Sequence, residues 1–148
     1  MFKIKCELTR KSRKQLVDNL MALAKQSKIS GGKALVDFAK SPIMTESAEE
    51  CPRDTWTLVD SRFVKKPVET KEGVYVDFGY GGPNNLTNPK TGKKASEYMI
   101  IVHEDLMGHT YKVGGPKFLE NPVRRNQELL LSHIGNAIRA TMMHARFK

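Results

Sequence analysis

Apolar and polar positions alternate from the first residues onward. Phe2, Ile4, Cys6 and Leu8 are separated by Lys3, Lys5 and Glu7, the period of a strand with one face buried, so a first strand is predicted over 2–8. The period then changes. Ser12 and Gln15 have capping-box spacing, and Leu16, Val17, Leu20, Leu23 and Ala24 trace a helical stripe to about Ser27. Ser30-Gly31-Gly32 reads as a breaker. After it Leu35, Phe38, Ala39, Ile43 and Ala48 line a second helix that ends at Cys51-Pro52, with Pro42 inside it as a kink or split. Residues 57–64 and 73–79 each fit a strand, and their spacing predicts an antiparallel hairpin. Tyr98-Met-Ile-Ile-Val102 is a short apolar run rich in β-branched residues, predicted as a central strand buried on both faces. Asn121-Pro122 has the form of a helix start. Leu130, Ile134, Ala137, Ile138, Thr141 and Ala145 then define a long C-terminal helix placed to cover the sheet.

These elements predict an α+β fold: an antiparallel sheet of about four strands, an N-terminal helical hairpin, a long C-terminal helix and an extended loop. The loop is the Gly-, Pro- and Asn-rich stretch at about 80–95, which has little to bury and reads as mobile. At 148 residues the chain is predicted to form a single domain over 1–148.

Charge adds a constraint on partners. Lys and Arg number 25 against 16 Asp and Glu, a net charge of +9, which favours nucleic acid or an acidic protein surface without choosing between them. Arg10, Lys11, Arg13 and Lys14 open the first helix and Glu46, Glu49 and Glu50 close the second, each the wrong sign for its own helix dipole. An antiparallel pair of helices would set these charges face to face, and that pairing is the expectation. No secretory leader is visible in Met-Phe-Lys-Ile-Lys-Cys and no apolar run approaches a membrane span, which points to synthesis in a cytoplasm with no membrane contact.

Candidate chemistry is sparse. His103-Glu104 with His109 evokes a zinc-protease helix, but the second His is six residues on and Gly108 intervenes, so one helical face cannot present both. Cys6 and Cys51 lack ligand spacing and read as free thiols. With no P-loop, dinucleotide fingerprint or nucleophile elbow, the sequence predicts no enzyme, no cofactor and no metal.

Ala39-Lys-Ser-Pro42-Ile-Met, followed by Ala48, Cys51-Pro52-Arg-Asp54-Thr55, Leu58 and Ser61, resembles the helix-to-strand junction of the neck and tail-completion proteins of tailed bacteriophages. Tyr98 through His103-Glu104, and Lys117-Phe118-Leu119-Glu120 before Pro122, resemble that family's later signatures. One departure is Trp56, where the family carries glycine; the turn there must be built differently, or Trp56 is a buried or interfacial anchor. The resemblance implies a structural virion subunit that forms a homo-oligomeric ring at the neck or top of the tail. Its partners would be further copies of itself, the neighbouring head-connector and tail-tube or tail-terminator proteins, and double-stranded DNA passing through the lumen. On this reading the contact residues are Trp56, Asn84, Asn85, Lys90, Lys93, Lys94, His103, Glu104, His109, Phe118 and Leu119. The alternative is a small basic nucleic-acid-binding protein, carried by the net charge and by Lys90, Lys93, Lys94, Arg124 and Arg125.

Overall fold

The computed structural model describes residues 9–145. The strand predicted over 2–8, Cys6, and the cations Arg146 and Lys148 lie outside the described residues. Helix α1 spans Arg10–Phe38. Thr9 caps it, its Oγ1 accepting the Ser12 N–H at 3.1 Å. A kinked turn over Ala39–Ile43 follows, with Ser41 out of helical geometry and Pro42 inside, so the break expected at Pro42 is present. Next come α2 (Met44–Glu50) and α3 (Thr57–Asp60). The strands are β1 (Phe63–Val64), β2 (Val68–Glu69), β3 (Val74–Tyr75) and β4 (Phe78–Gly79). Helices α4 (Ala95–Glu104), α5 (Glu120–Arg125) and α6 (Gln127–His144) complete the described chain.

The predicted breaker at Gly31-Gly32 does not break α1: Gly32 is a packing notch and Gly31 lies under α6. A Cβ on Gly31 would lie 3.5 Å from Ile138, and one on Gly32 would lie 3.0 Å from Val74 and 3.1 Å from Pro67. Two elements thus dock on one level of the helix, and that burial outweighs the usual cost of glycine in a helix, about 1 kcal/mol each. The predicted helical hairpin is therefore one long helix followed by a short one. Gly31→Ala, which meets only ordinary contacts, is expected to stabilise the fold by about 0.5–1 kcal/mol. Gly32→Ala must displace Val74 or Pro67 and is expected to be at least about 1 kcal/mol less stable than Gly31→Ala; chemical denaturation of the pair measures the difference.

Helix α6 packs antiparallel on the second half of α1. Ser30 Oγ donates to the Ala137 carbonyl at 3.1 Å, and the Phe38 and His133 rings lie 5.5 Å apart. Its half-buried stripe is the predicted one, from Leu130 to Ala145, but it covers α1 rather than a sheet. The single C-terminal helix expected from Asn121-Pro122 is divided at Asn126 into α5 and α6.

The expected four-stranded sheet is two small antiparallel pairs stacked along one long hairpin. Phe63 lies opposite Gly79 and Val64 opposite Phe78; Val68 lies opposite Tyr75 and Glu69 opposite Val74. The antiparallel relation of the two segments is as predicted, but the first half of 57–64 is α3. The largest correction is Tyr98–Val102, which belongs to α4. A short apolar run is compatible with strand or buried helix, and the preceding residues decide it: the Glu97 carboxylate accepts the Lys94 N–H at 2.6 Å, an N-terminal cap that a strand does not need. Ala95 is fully buried, and Tyr98, Met99 and Val102 pack against a core of Met44, Cys51, Leu58, Val59, Tyr80 and Phe118.

Inside that core Ser47 Oγ and Tyr80 Oη share a hydrogen bond of 2.7 Å. Cys51 has no exposed surface, and burial pushes its thiol up to about 12. Residues 80–94 connect β4 to α4 and are tied at the base, with Thr87 bridged to Lys94 and Asn88 N–H donating to the Lys93 carbonyl at 2.8 Å.

The expected pairing of the two helix ends is absent. Arg125 instead reaches Glu46 at 2.9 Å and Glu50 at 2.5 Å, and Asn126 Nδ2 donates to Glu46 at 3.0 Å. Arg10, Lys11, Arg13 and Lys14 make no ion pair among the described residues. The Arg125 hydrogen bond lowers the Glu46 pKa below its ordinary 4.5 against an opposing effect of burial. A depressed carboxylate contributes stability that is present above its unfolded pKa and lost as pH falls through the lower folded value. Stability is therefore expected to decline below about pH 4.5, and Arg125→Ala to remove part of that dependence, as read from denaturation midpoints across an acid series.

Candidate functional site

Trp56 caps α3 with φ 62° and ψ −10°. The left-handed region costs an ordinary residue about 1–2 kcal/mol, and an indole there is unusual. Trp56 is 54% exposed, so its own burial does not offset that cost. Its principal neighbour is Arg53, whose guanidinium sits 4.9 Å from the ring centroid. Arg53 is fixed in turn by the end of α2, donating to the Ala48 carbonyl at 3.1 Å and the Glu49 carbonyl at 3.2 Å.

This pair forms a wall between two grooves. One, of about 540 Å³, runs past Met44, Val59 and Phe63. The other, of about 610 Å³, is bounded by residues 52–58, by Asn88, Thr91 and Lys93 of the loop, by one side of α4 and by residues 107–113. Trp56, Tyr98, Met107 and Val113 give this second groove its apolar surface, and Arg53, Lys93 and Lys112 give it positive charge. Its one carboxylate, Asp54, is engaged by Lys90 at 2.5 Å. Lys93 and Lys112 have no anionic partner among the described residues.

The far wall is built from Asp105, which ends α4 at φ 52°. Its carboxylate accepts the His109 N–H at 2.8 Å and the Tyr111 hydroxyl at 3.3 Å, folding the segment back along α4. The His109 and Tyr111 rings lie 6.1 Å apart. Burial raises the Tyr111 phenol pKa, with the Asp105 charge adding to it, and burial likewise raises Tyr98. Both rings are therefore neutral, so the groove's fixed charge comes from its cations.

The predicted contact residues separate into two groups. Trp56, Lys93 and His109 meet at this groove, with Lys90 at its edge through Asp54. The others serve the fold or lie away from it. Phe118 is wholly buried, edge-on to Tyr80 at 5.2 Å and to His103 at 5.0 Å. Leu119 packs on the core. Buried His103 bonds Glu104 at 2.8 Å, and Glu104 also accepts from Lys117. Asn85 braces the start of α4, accepting the Ser96 N–H at 3.0 Å, and Lys94 is its capping residue. Asn84 is exposed in the loop. Sequence reading missed Arg53 and Tyr98 as lining residues; Tyr111, Lys112 and Val113 reach the groove from the segment between two glycine-containing turns.

Among the described residues no group of three or more His, Cys, Asp or Glu side chains could hold a metal ion, and no helix is long and apolar enough to cross a membrane. Compared with protein-family models, with curated proteins and with solved structures, the chain matches none.

Proposed function

We propose that this chain is a self-associating structural subunit, one copy of a ring at the head–tail joint of a tailed-phage virion. The observation that supports the reading is the uncovered first half of α1. Leu16, Val17, Leu20 and Met21 are 45–60% exposed, N-terminal to the contacts that Ser30 and Phe38 make with α6. A solitary helix of this kind is marginal in water, and an apolar surface of such extent is the mark of an association site. Assembly with further copies would cover it, and duplex DNA would pass through the lumen. Negative-stain microscopy of particles made with this gene disabled is expected to show filled heads beside separate, finished tails; intact joined particles would overturn the reading.

Arg10, Lys11, Arg13 and Lys14, which make no ion pair among the described residues, favour a second reading, direct binding of nucleic acid. Duplex affinity followed across a salt series separates the two: tight binding that persists at physiological salt supports the second, and its collapse supports the first.

A further inference from the structure

We propose that the Trp56 groove is a binding site for single-stranded nucleic acid, one base stacking on the indole while the neighbouring phosphates lie against Arg53, Lys93 and Lys112. The site holds whether or not copies of the chain form a ring. It is also apart from the basic run of α1, since no residue of that helix lines the groove.

Arg53 lies over one face of the indole, 4.9 Å from its centroid, and Trp56 is still 54% exposed. The left-handed backbone at Trp56 carries a cost that this exposure does not return, and strain held in place by its surroundings is characteristic of ligand sites. Every base has a flat π-face, so an exposed aromatic ring takes an unpaired base of any sequence. A duplex offers no such face, because its bases are stacked on one another and paired. His109 and Tyr111 bring two more rings to the far wall, 6.1 Å apart, the second anchored through its hydroxyl to Asp105.

The charges agree with an anionic chain. Three cations reach the groove from three segments: Arg53 from the turn after α2, Lys93 from the loop before α4 and Lys112 from the segment that returns along α4. Lys93 and Lys112 have no anionic partner among the described residues. Of the two nearby acids, Asp54 is engaged by Lys90 at 2.5 Å. Asp105 does not line the groove and accepts from the His109 N–H and the Tyr111 hydroxyl. Cations set around exposed aromatic rings are the means by which single strands are held without sequence preference. An acidic peptide is the weaker fit, since no residue of β1–β4 lines the groove and an extended peptide finds no strand edge there to pair with.

Trp56 is the one tryptophan in the chain, so a base stacked on it is read directly as quenching of intrinsic fluorescence in the full-length protein. The probe is an oligothymidylate of about eight nucleotides, within the site sizes of single-strand binders, set against an abasic deoxyribose-phosphate strand and a duplex of the same length. Saturable quenching by the oligothymidylate is expected, with an affinity at least about fivefold above that of the abasic strand, and unchanged emission with the duplex. Lys93→Glu/Lys112→Glu is expected to stay folded by circular dichroism and to lose the quenching, whereas Arg13→Ala/Lys14→Ala on α1 keeps it. Glycine adopts the backbone conformation of Trp56 without strain, so Trp56→Gly is expected to keep its fold. By anisotropy of labelled strands it should bind oligothymidylate at least about fivefold more weakly and the abasic strand as before. Oligothymidylate that binds without quenching, or no more tightly than the abasic strand, would overturn the proposal, as would wild-type quenching in the Lys93→Glu/Lys112→Glu variant. Equal quenching by thymidine monophosphate would make the groove a mononucleotide pocket, and equal quenching by polyglutamate would make it a protein-docking site; either result would overturn a nucleic-acid strand as its ligand.

Discussion

Phe118→Ala is expected to cost about 3–5 kcal/mol of folding stability, the range for deleting a fully enclosed aromatic ring. Its ring is completely buried and meets Tyr80 and His103 edge-on, with centroids 5.2 and 5.0 Å away. Tyr80 in turn is bonded to Ser47, and His103 to Glu104, so one ring joins α2, the end of β4 and α4. The neighbours are backed by other elements and cannot move inward far enough to fill the space, so the cavity term adds to the lost transfer energy. Urea unfolding should show a lower midpoint with an unchanged slope. A cost below about 1 kcal/mol would mean that the surrounding helices collapse onto the site.

Gly114→Ala is expected to be nearly as damaging for a different reason. Gly114 has φ 77°, and a Cβ there would lie 2.3 Å from the Glu50 carbonyl oxygen and 2.8 Å from the Cys51 carbonyl carbon and the Pro52 nitrogen. All three are backbone atoms at the end of α2, so no side chain can rotate aside. The left-handed conformation alone costs about 1–2 kcal/mol, and separating the two backbones should bring the total to at least about 3 kcal/mol. Gly115 N–H also donates to that Glu50 carbonyl at 3.0 Å, so the displacement breaks the tie that holds residues 107–113 over the groove. Gly108→Ala is the control: φ is 64° but nothing lies within 4 Å of its added Cβ, so it should show the conformational cost alone. Equal losses in the two variants would rule out close approach as the cause.

What the sequence reveals and what it hides both have physical reasons. The stripe in α1, the interruption at Pro42, the antiparallel relation of 63–69 and 74–79 and the C-terminal helix all follow from local periodicity or from proline geometry, which act over a few residues. Gly31-Gly32 misleads because its meaning is set by Val74, Pro67 and Ile138, far away along the chain. Tyr98–Val102 misleads because all five positions are apolar, including Ile100, which is 53% exposed, so the run lacks the periodicity that separates helix from strand. Trp56 stood out only as a bulky residue where the resembled family carries glycine, and the expected rebuilt turn does not form: Trp56 itself takes the left-handed conformation and is exposed rather than buried. The groove around it was not legible, since its walls come from 52–58, 88–93, 98–102 and 107–113. Arg125 shows the same limit for charge: the acids at the end of α2 were read against the basic run at the start of α1, and their partner is 75 residues or more away.

The full burial of Cys51 turns that residue into a clock for the opening of the core. A thiol reagent attacks only the thiolate, and a thiol with a pKa near 12 and no exposed surface supplies almost none. In a chain whose other cysteine, Cys6, is replaced by serine, modification must wait until α2 and α4 part. The alkylation rate, set against that of the unfolded chain, gives the free energy of that local opening. Because Tyr98 on α4 and the 52–58 turn bound the groove on one side and this core on the other, the same rate would register how far any occupant of the groove tightens the interior behind it.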